Sequence, residues 1–218
     1  MKTIRYIFSI FLLMLAVVAD AQQLRQEAFE LINLDYPGLE KVKAACSRQK
    51  WEVAAQELLN YYRSRTGITH PDIDLKKLTI SREEQKWADD ALEHTFFVHK
   101  GYQPSYNYGK DINWEYWPVK DNELRWQLHR HKWFTPMGKA YRISGDEKYA
   151  KEWVHQYIDW VQKNPLVNMK QDEFELVSAG EVKEDADNVY FAWRQLEVSN
   201  RLQDQTCQFL LFCSASAF

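Results

Sequence analysis

Two stretches of the sequence concentrate side chains that bind charge or move protons. Arg125-Trp126-Gln127-Leu128-His129-Arg130-His131-Lys132 places five basic or titratable groups in eight residues, with no acid among them. On a helix Arg125 and His129 share a face, as do Trp126 and Arg130. An arginine presents a planar fork that fits a carboxylate or sulfate, and a histidine exchanges a proton near neutrality. The same residues also suit a solvated helix face with Leu124 and Leu128 buried, and spacing alone leaves both readings open. His129 and His131 diverge by about 200° on a helix, so they do not chelate one ion, and no metal site is expected.

The second stretch runs from Asp187 to Arg201 and contains Tyr190-Phe191-Ala192-Trp193-Arg194 followed by Glu197 and Arg201. Arg194, Glu197, Val198 and Arg201 mark one helical face; Leu196, Ser199 and Asn200 mark another. Arg194–Glu197 and Glu197–Arg201 have the spacing of helix-surface ion pairs. Three aromatics within five residues of Arg194 suggest instead a partly buried arginine, packed by them and aimed by Glu197 into a cleft.

The elements that must position these groups read as helices nearly everywhere. Trp51, Ala54, Ala55, Leu58, Leu59 and Tyr62 form one apolar stripe, and Tyr149, Ala150, Trp153, Val154, Tyr157, Ile158 and Val161 form another. Ser81 with Glu84 makes a capping box that opens a helix through about His94. Residues 24–34 and 37–47 precede the Trp51 helix. Leu124 to Tyr141 reads as one helix, paired across Ser144-Gly145 with a helix over 146–163 that Asn164-Pro165 stops. No stretch alternates with hairpin turn chemistry, so strand content should be small. Repeated helical hairpins imply stacked pairs, in a solenoid or an α/α toroid. Two stretches break the pattern: an aromatic segment over 95–120, whose rings look available for stacking on sugar faces, and a polar, acidic one over 164–188.

The N-terminus is read as a leader. Lys2 and Arg5 precede an apolar run from Ile7 to Val18, and Ala19-Asp20-Ala21 offers the small residues of a cleavage site before Gln22. The run falls well short of the ~20 residues that span a bilayer. Residues 1–21 are therefore expected to be a signal peptide and residues 22–218 the exported, most simply periplasmic, domain, with no membrane association after cleavage. Losing the leader shifts the formal charge from −3 to −4. A chain this acidic has no global attraction for nucleic acid, which is excluded as a partner, and any anionic ligand needs a local basic patch. Cys46, Cys207 and Cys213 have no disulfide or zinc spacing and read as small hydrophobes; no cofactor is expected.

Several long motifs then match a known family. Phe97-Val98-His99-Lys100-Gly101-Tyr102-Gln103-Pro104, Asp111-Ile112-Asn113-Trp114, the run from Trp117 to His131, and Asn188 to Arg194 with Leu196 to Arg201 resemble the N-terminal domain of heparinase II/III-type polysaccharide lyases. The resemblance is nearest to the heparin-sulfate lyases of Bacteroidetes and covers the whole mature chain. Gln195 departs from it, standing where a proline is expected at the start of the helix that aims Arg194. The resemblance implies an all-α fold, an incomplete α/α toroid built from helical hairpins. It also implies a lyase that cleaves heparan sulfate or a related acidic glycosaminoglycan by β-elimination. The family's Asn-His pair does not occur in this sequence, so no residue is assigned as catalytic. Arg125, His129, His131, Tyr190, Arg194 and Glu197 are the candidates for substrate binding.

About seven helices are legible, and the apolar run around Phe209 to Phe212 is expected to stand uncovered at an edge. The chain is accordingly read as a truncated N-terminal toroid segment, inactive alone, lacking the second half of the toroid and a following β-sandwich. Two other readings are carried: a glycan-binding module without catalysis, and a helical-repeat interaction module.

Overall fold

Helix caps that the sequence displays set the boundaries of most elements. The computed structural model describes residues 26–65, 67–165 and 188–217, so the expected leader and most of the acidic stretch lie outside the described residues. The chain divides into two units, Met1–Thr66 and Gly67–Phe218. The first holds α1 (Gln26–Glu30), α2 (Glu40–Cys46) and α3 (Trp51–Ser64). Phe29, Leu39, Val42, Ala45 and Ala54 form its small core, with Trp51, Ala55, Leu58 and Tyr61 packed against them. Gly38 has φ +94°, and a Cβ there would meet the Tyr61 ring at 2.8 Å, so the turn before α2 admits no side chain.

The second unit holds α4 (Arg82–Leu92), a two-residue antiparallel ribbon of β1 (Thr95–Phe96) with β2 (Tyr106–Asn107), α5 (Asn122–Leu128), α6 (Phe134–Ser144), α7 (Glu147–Lys163), α8 (Asn188–Trp193) and α9 (Gln195–Phe212). The fold class is all-α, as the periodicity requires. The Ser81 hydroxyl accepts from Glu84 N–H at 3.1 Å while Glu84 accepts from Ser81 N–H at 2.9 Å, closing the capping box of α4. Gly145, left-handed at φ +70°, ends α6, and Asp146 caps α7 by accepting from Lys148 N–H.

One expected helix is two. The stretch from Leu124 to Tyr141 breaks between Leu128 and Phe134, with His131 in the left-handed region at φ +54°. Pro136 is the cause. It has no N–H to give, and in the interior of a continuous helix its ring would strike the preceding turn. Restarting the helix at Phe134 puts Pro136 in the first turn, where backbone N–H groups have no intrahelical partner in any case. This break and the separation of the short α8 from α9 make nine helices among the described residues rather than seven.

The aromatic segment also departs from expectation. Phe96, Tyr108 and Trp114 are buried, and Phe96 lies flat on Trp133 with centroids 4.1 Å apart. These rings are core, because the ribbon and the following loop fold onto the α4–α6–α7 layer; Tyr116 stays exposed. Gln156, fully buried on α7, holds the layer by its amide. Its oxygen accepts from Trp133 Nε1 at 2.8 Å, and its nitrogen donates to the Ala91 carbonyl at 2.7 Å.

The apolar run of α9 is covered, not uncovered. Leu210, Leu211 and Phe212 are buried, with Phe212 stacked on Trp153 at 4.5 Å. The approach of α9 to α6 depends on Gly138, where an added Cβ would lie 2.8 Å from both Leu211 Cβ and Cδ1. Gly138→Val gains only a few tenths of a kcal/mol in helix propensity, against overpacking of about 1–3 kcal/mol. The variant is expected to lose about 2 kcal/mol in denaturant unfolding; unchanged stability would show that the two helices are not in close contact.

Candidate functional site

The two charged stretches meet at Glu197. This carboxylate sits in the first turn of α9, where the helix dipole favours negative charge, and its side chain is 0 % exposed. Arg130, just past the end of α5, donates to Glu197 Oε1 at 2.8 Å. Arg194, which ends α8 and precedes α9, reaches the same oxygen at 3.4 Å. Arg130 also lies 3.8 Å from Glu123 in the first turn of α5. A carboxylate so enclosed is tolerable only because cations face it from two sides.

Aromatic faces hold the surrounding arginines. Arg194 stacks on Trp126, with Cζ 3.9 Å from the ring centroid. Arg125 lies between Phe191, at 3.8 Å, and Trp117, at 4.8 Å. Arg201 stacks on Trp160 and Trp193 and donates to the His129 carbonyl at 2.9 Å. Burial lowers the Arg201 pKa to about 10, with Glu197 opposing the shift; the guanidinium is charged at neutral pH. Four guanidinium groups thus gather near two carboxylates, and the cluster is locally positive in an acidic chain.

The histidines have a different character. Trp160 Nε1 donates to His129 Nδ1 at 3.1 Å, which places the proton of the neutral ring on Nε2. His131 is enclosed by Trp114, Trp133, Phe134 and Trp160. Burial first, then the charge of Arg201, holds its pKa well below the ordinary histidine value. A neutral imidazole in an aromatic cage attracts no anion.

The stretch from Arg125 to His131 is therefore neither a solvated face nor an open cleft wall: Arg125, His129 and His131 are 2 %, 0 % and 2 % exposed. The structure brings five of the six candidate residues into this region or its immediate support. Tyr190 belongs to α8, but its side chain lies outside the described residues. Of the aromatics that precede Arg194, Phe191 serves Arg125 and Trp193 serves Arg201. Spacing missed Arg130 as the nearest partner of Glu197, since the contact joins residues 67 positions apart. Gln195 opens α9 without the expected proline, and the turn is kept, with Arg194 at φ −56° and ψ 139°.

The fold that carries these residues is shared with solved proteins. Residues 28–218 match the family described as Heparinase II/III N-terminus. The chain belongs to that family. It is 63% identical over 217 residues to a heparin-sulfate lyase of Bacteroides stercoris, covering 100% of this chain and 33% of the relative. It is 44% identical to the heparin-sulfate lyase of Pedobacter heparinus, covering 93% of this chain and 29% of that one. A heparinase III structure with methylated lysines aligns at TM-score 0.81 and 71% identity over 91% of this chain and 31% of its own. The heparan sulfate lyase HepC of Pedobacter heparinus aligns at 0.76 and 44% identity, over 89% of this chain and 29% of its own. These likenesses bear out the family resemblance and the reading as an α/α toroid segment. The heparinase II/III segment spans about a third of the length of the relatives it matches.

Two outcomes follow from the geometry. Arg130→Ala should cost about 3–5 kcal/mol, the range for stripping a buried charge of its partner. Arg194→Ala should cost about 1 kcal/mol or less, because Arg130 still faces the carboxylate; equal losses in denaturant melts would refute this ranking. His131 sets a pH dependence. Its folded pKa lies below the unfolded value of 6.5, so the unfolded chain takes up the proton first as pH falls. Its contribution is intact above 6.5 and is lost below it, by about 1.4 kcal/mol per pH unit until the folded group titrates. Compared with wild type between pH 7.5 and 5.5, His131→Asn should show a flatter decline in stability.

Proposed function

We propose that this chain is the N-terminal segment of an exported, most simply periplasmic, lyase that cleaves heparan sulfate or a related acidic glycosaminoglycan by β-elimination. In this reading it contributes a wall of the glycan cleft, and the groups that remove the C5 proton and protonate the leaving oxygen come from outside it. The observation that carries the reading is Arg194: a guanidinium with 18% of its side chain exposed, laid on Trp126 and steadied by Glu197, at the margin of a locally positive cluster. A fork held in one plane suits a uronate carboxylate or a sulfate. Arg125, His129, His131 and Glu197 are too enclosed to touch a sugar, and their part is to fix the helices and guanidinium groups behind Arg194. Export is supported by the leader-like pattern of residues 1–21, a basic start, an apolar run and a small-residue cleavage motif.

The test joins this chain to the remaining two thirds of the Bacteroides stercoris relative. Arg194→Ala should weaken heparan sulfate binding by roughly ten- to a hundred-fold, the worth of one hydrogen bond to a charged group. Arg194→Lys should recover little of it, and neither variant should unfold early. A lowered melting temperature with unchanged affinity would sink the proposal. The chain without that partner should release no unsaturated uronate absorbance from heparan sulfate.

A further inference from the structure

A second group of titratable side chains lies away from the arginine cluster. His94 follows the end of α4, and Glu152 and His155 stand one turn apart on α7. Their ligating atoms lie within 4.8 Å of one another. His94 is 9 % exposed, and its backbone is held in the left-handed region at φ +56°, a conformation that packing must maintain. The Tyr108 N–H donates to its carbonyl at 2.9 Å.

The hydrogen bonding of His94 has a consequence. Nδ1 lies 2.7 Å from the Gly109 carbonyl. A carbonyl only accepts, so Nδ1 carries a proton, and in the neutral ring Nε2 has a bare lone pair. That lone pair faces Glu152 Oε1 at 3.0 Å, another acceptor. His155 Nδ1 lies 3.1 Å from the same oxygen, and Gln156 Nε2 already donates to it at 2.9 Å. Two opposed lone pairs at this distance require a positive charge between them, either a second proton on His94 or a cation.

The surroundings fit a cation. A metal-binding histidine characteristically donates its other N–H to a carbonyl or carboxylate, fixing the tautomer, as His94 does to Gly109. Tetrahedral zinc with bonds of 2.0–2.1 Å separates its ligands by about 3.3 Å, close to the 3.0 and 3.1 Å of the two pairs that include Glu152; the two imidazole nitrogens lie within 4.8 Å of each other and would close on the ion. A second proton on His94, with His155 donating its Nδ1–H to the same oxygen, is the competing arrangement; a cation would use all three ligating atoms at once. We propose that His94 Nε2, Glu152 Oε1 and His155 Nδ1 bind a divalent transition-metal ion of the zinc class, with a fourth position open to water. Two imidazoles and one carboxylate select such an ion over calcium or magnesium. The ion would clip the end of α4 and the Gly109 turn to α7.

Zinc titration of the full chain, freed of tag histidines and first dialysed against chelator, tests this by competition with a chromophoric chelator. One equivalent should bind, and zinc should raise the melting temperature. His155 has more than half of its side chain exposed, so His155→Ala should keep the wild-type melting temperature in chelator. It should nevertheless bind zinc at least tenfold more weakly, since even an outer-shell partner accounts for ~10–100-fold. Glu152→Gln should behave likewise. Absence of stoichiometric uptake at micromolar zinc, or equal uptake by wild type and His155→Ala, would overturn the proposal and leave a protonated His94 paired with Glu152.

Discussion

A single carboxylate with no access to water, Glu197, organises the larger unit of this chain. An ionised group in that position is unfavourable by several kcal/mol unless cations and donors surround it, and the chain supplies them from separate elements. Arg130 comes from the turn after α5, and Arg194 from the joint between α8 and α9. The orientation of α5 against α9, and the sharp turn that aims Arg194, are both consequences of satisfying that charge.

The tryptophans have a related purpose. Arg125, Arg194 and Arg201 each lie on one or two aromatic faces, so these guanidinium groups are removed from water without being neutralised one by one. Stacking leaves the in-plane N–H groups free to point elsewhere. A positive cluster can then persist inside a chain whose formal charge is −3. The abundance of Trp reflects arginine packing as much as ordinary core filling.

Local signals were legible in the sequence and distant ones were not. The capping box at Ser81, the Gly145-Asp146 joint and the stop at Asn164-Pro165 are each written in a few adjacent residues, and they stand where the spacing put them. The motifs from Trp117 to His131 and from Asn188 to Arg201 located the region of the site. The division of α5 from α6 turns on Pro136, a breaker that the apolar periodicity around it masked. Burial of Arg125, His129 and His131 was hidden for another reason. A basic run looks solvated until the aromatics that enclose it, drawn from α7, α8 and the 110s loop, are folded against it. The covering of Phe209 to Phe212 rests on Gly138, whose missing side chain leaves no mark in a hydrophobic pattern. The convergence of His94 with α7 likewise joins residues more than fifty positions apart.

The amide of Gln156 gives the interior a polarity that shape alone does not encode. It accepts from Trp133 with one atom and donates to Ala91 and Glu152 with the other, so its two ends are not interchangeable. Glutamate in its place would have almost the same shape. It would nevertheless replace the donor with a negative oxygen that faces a carbonyl and a second carboxylate, in a place water does not reach. A one-atom exchange at this position would therefore register as repulsion within the core, among atoms that have scarcely moved.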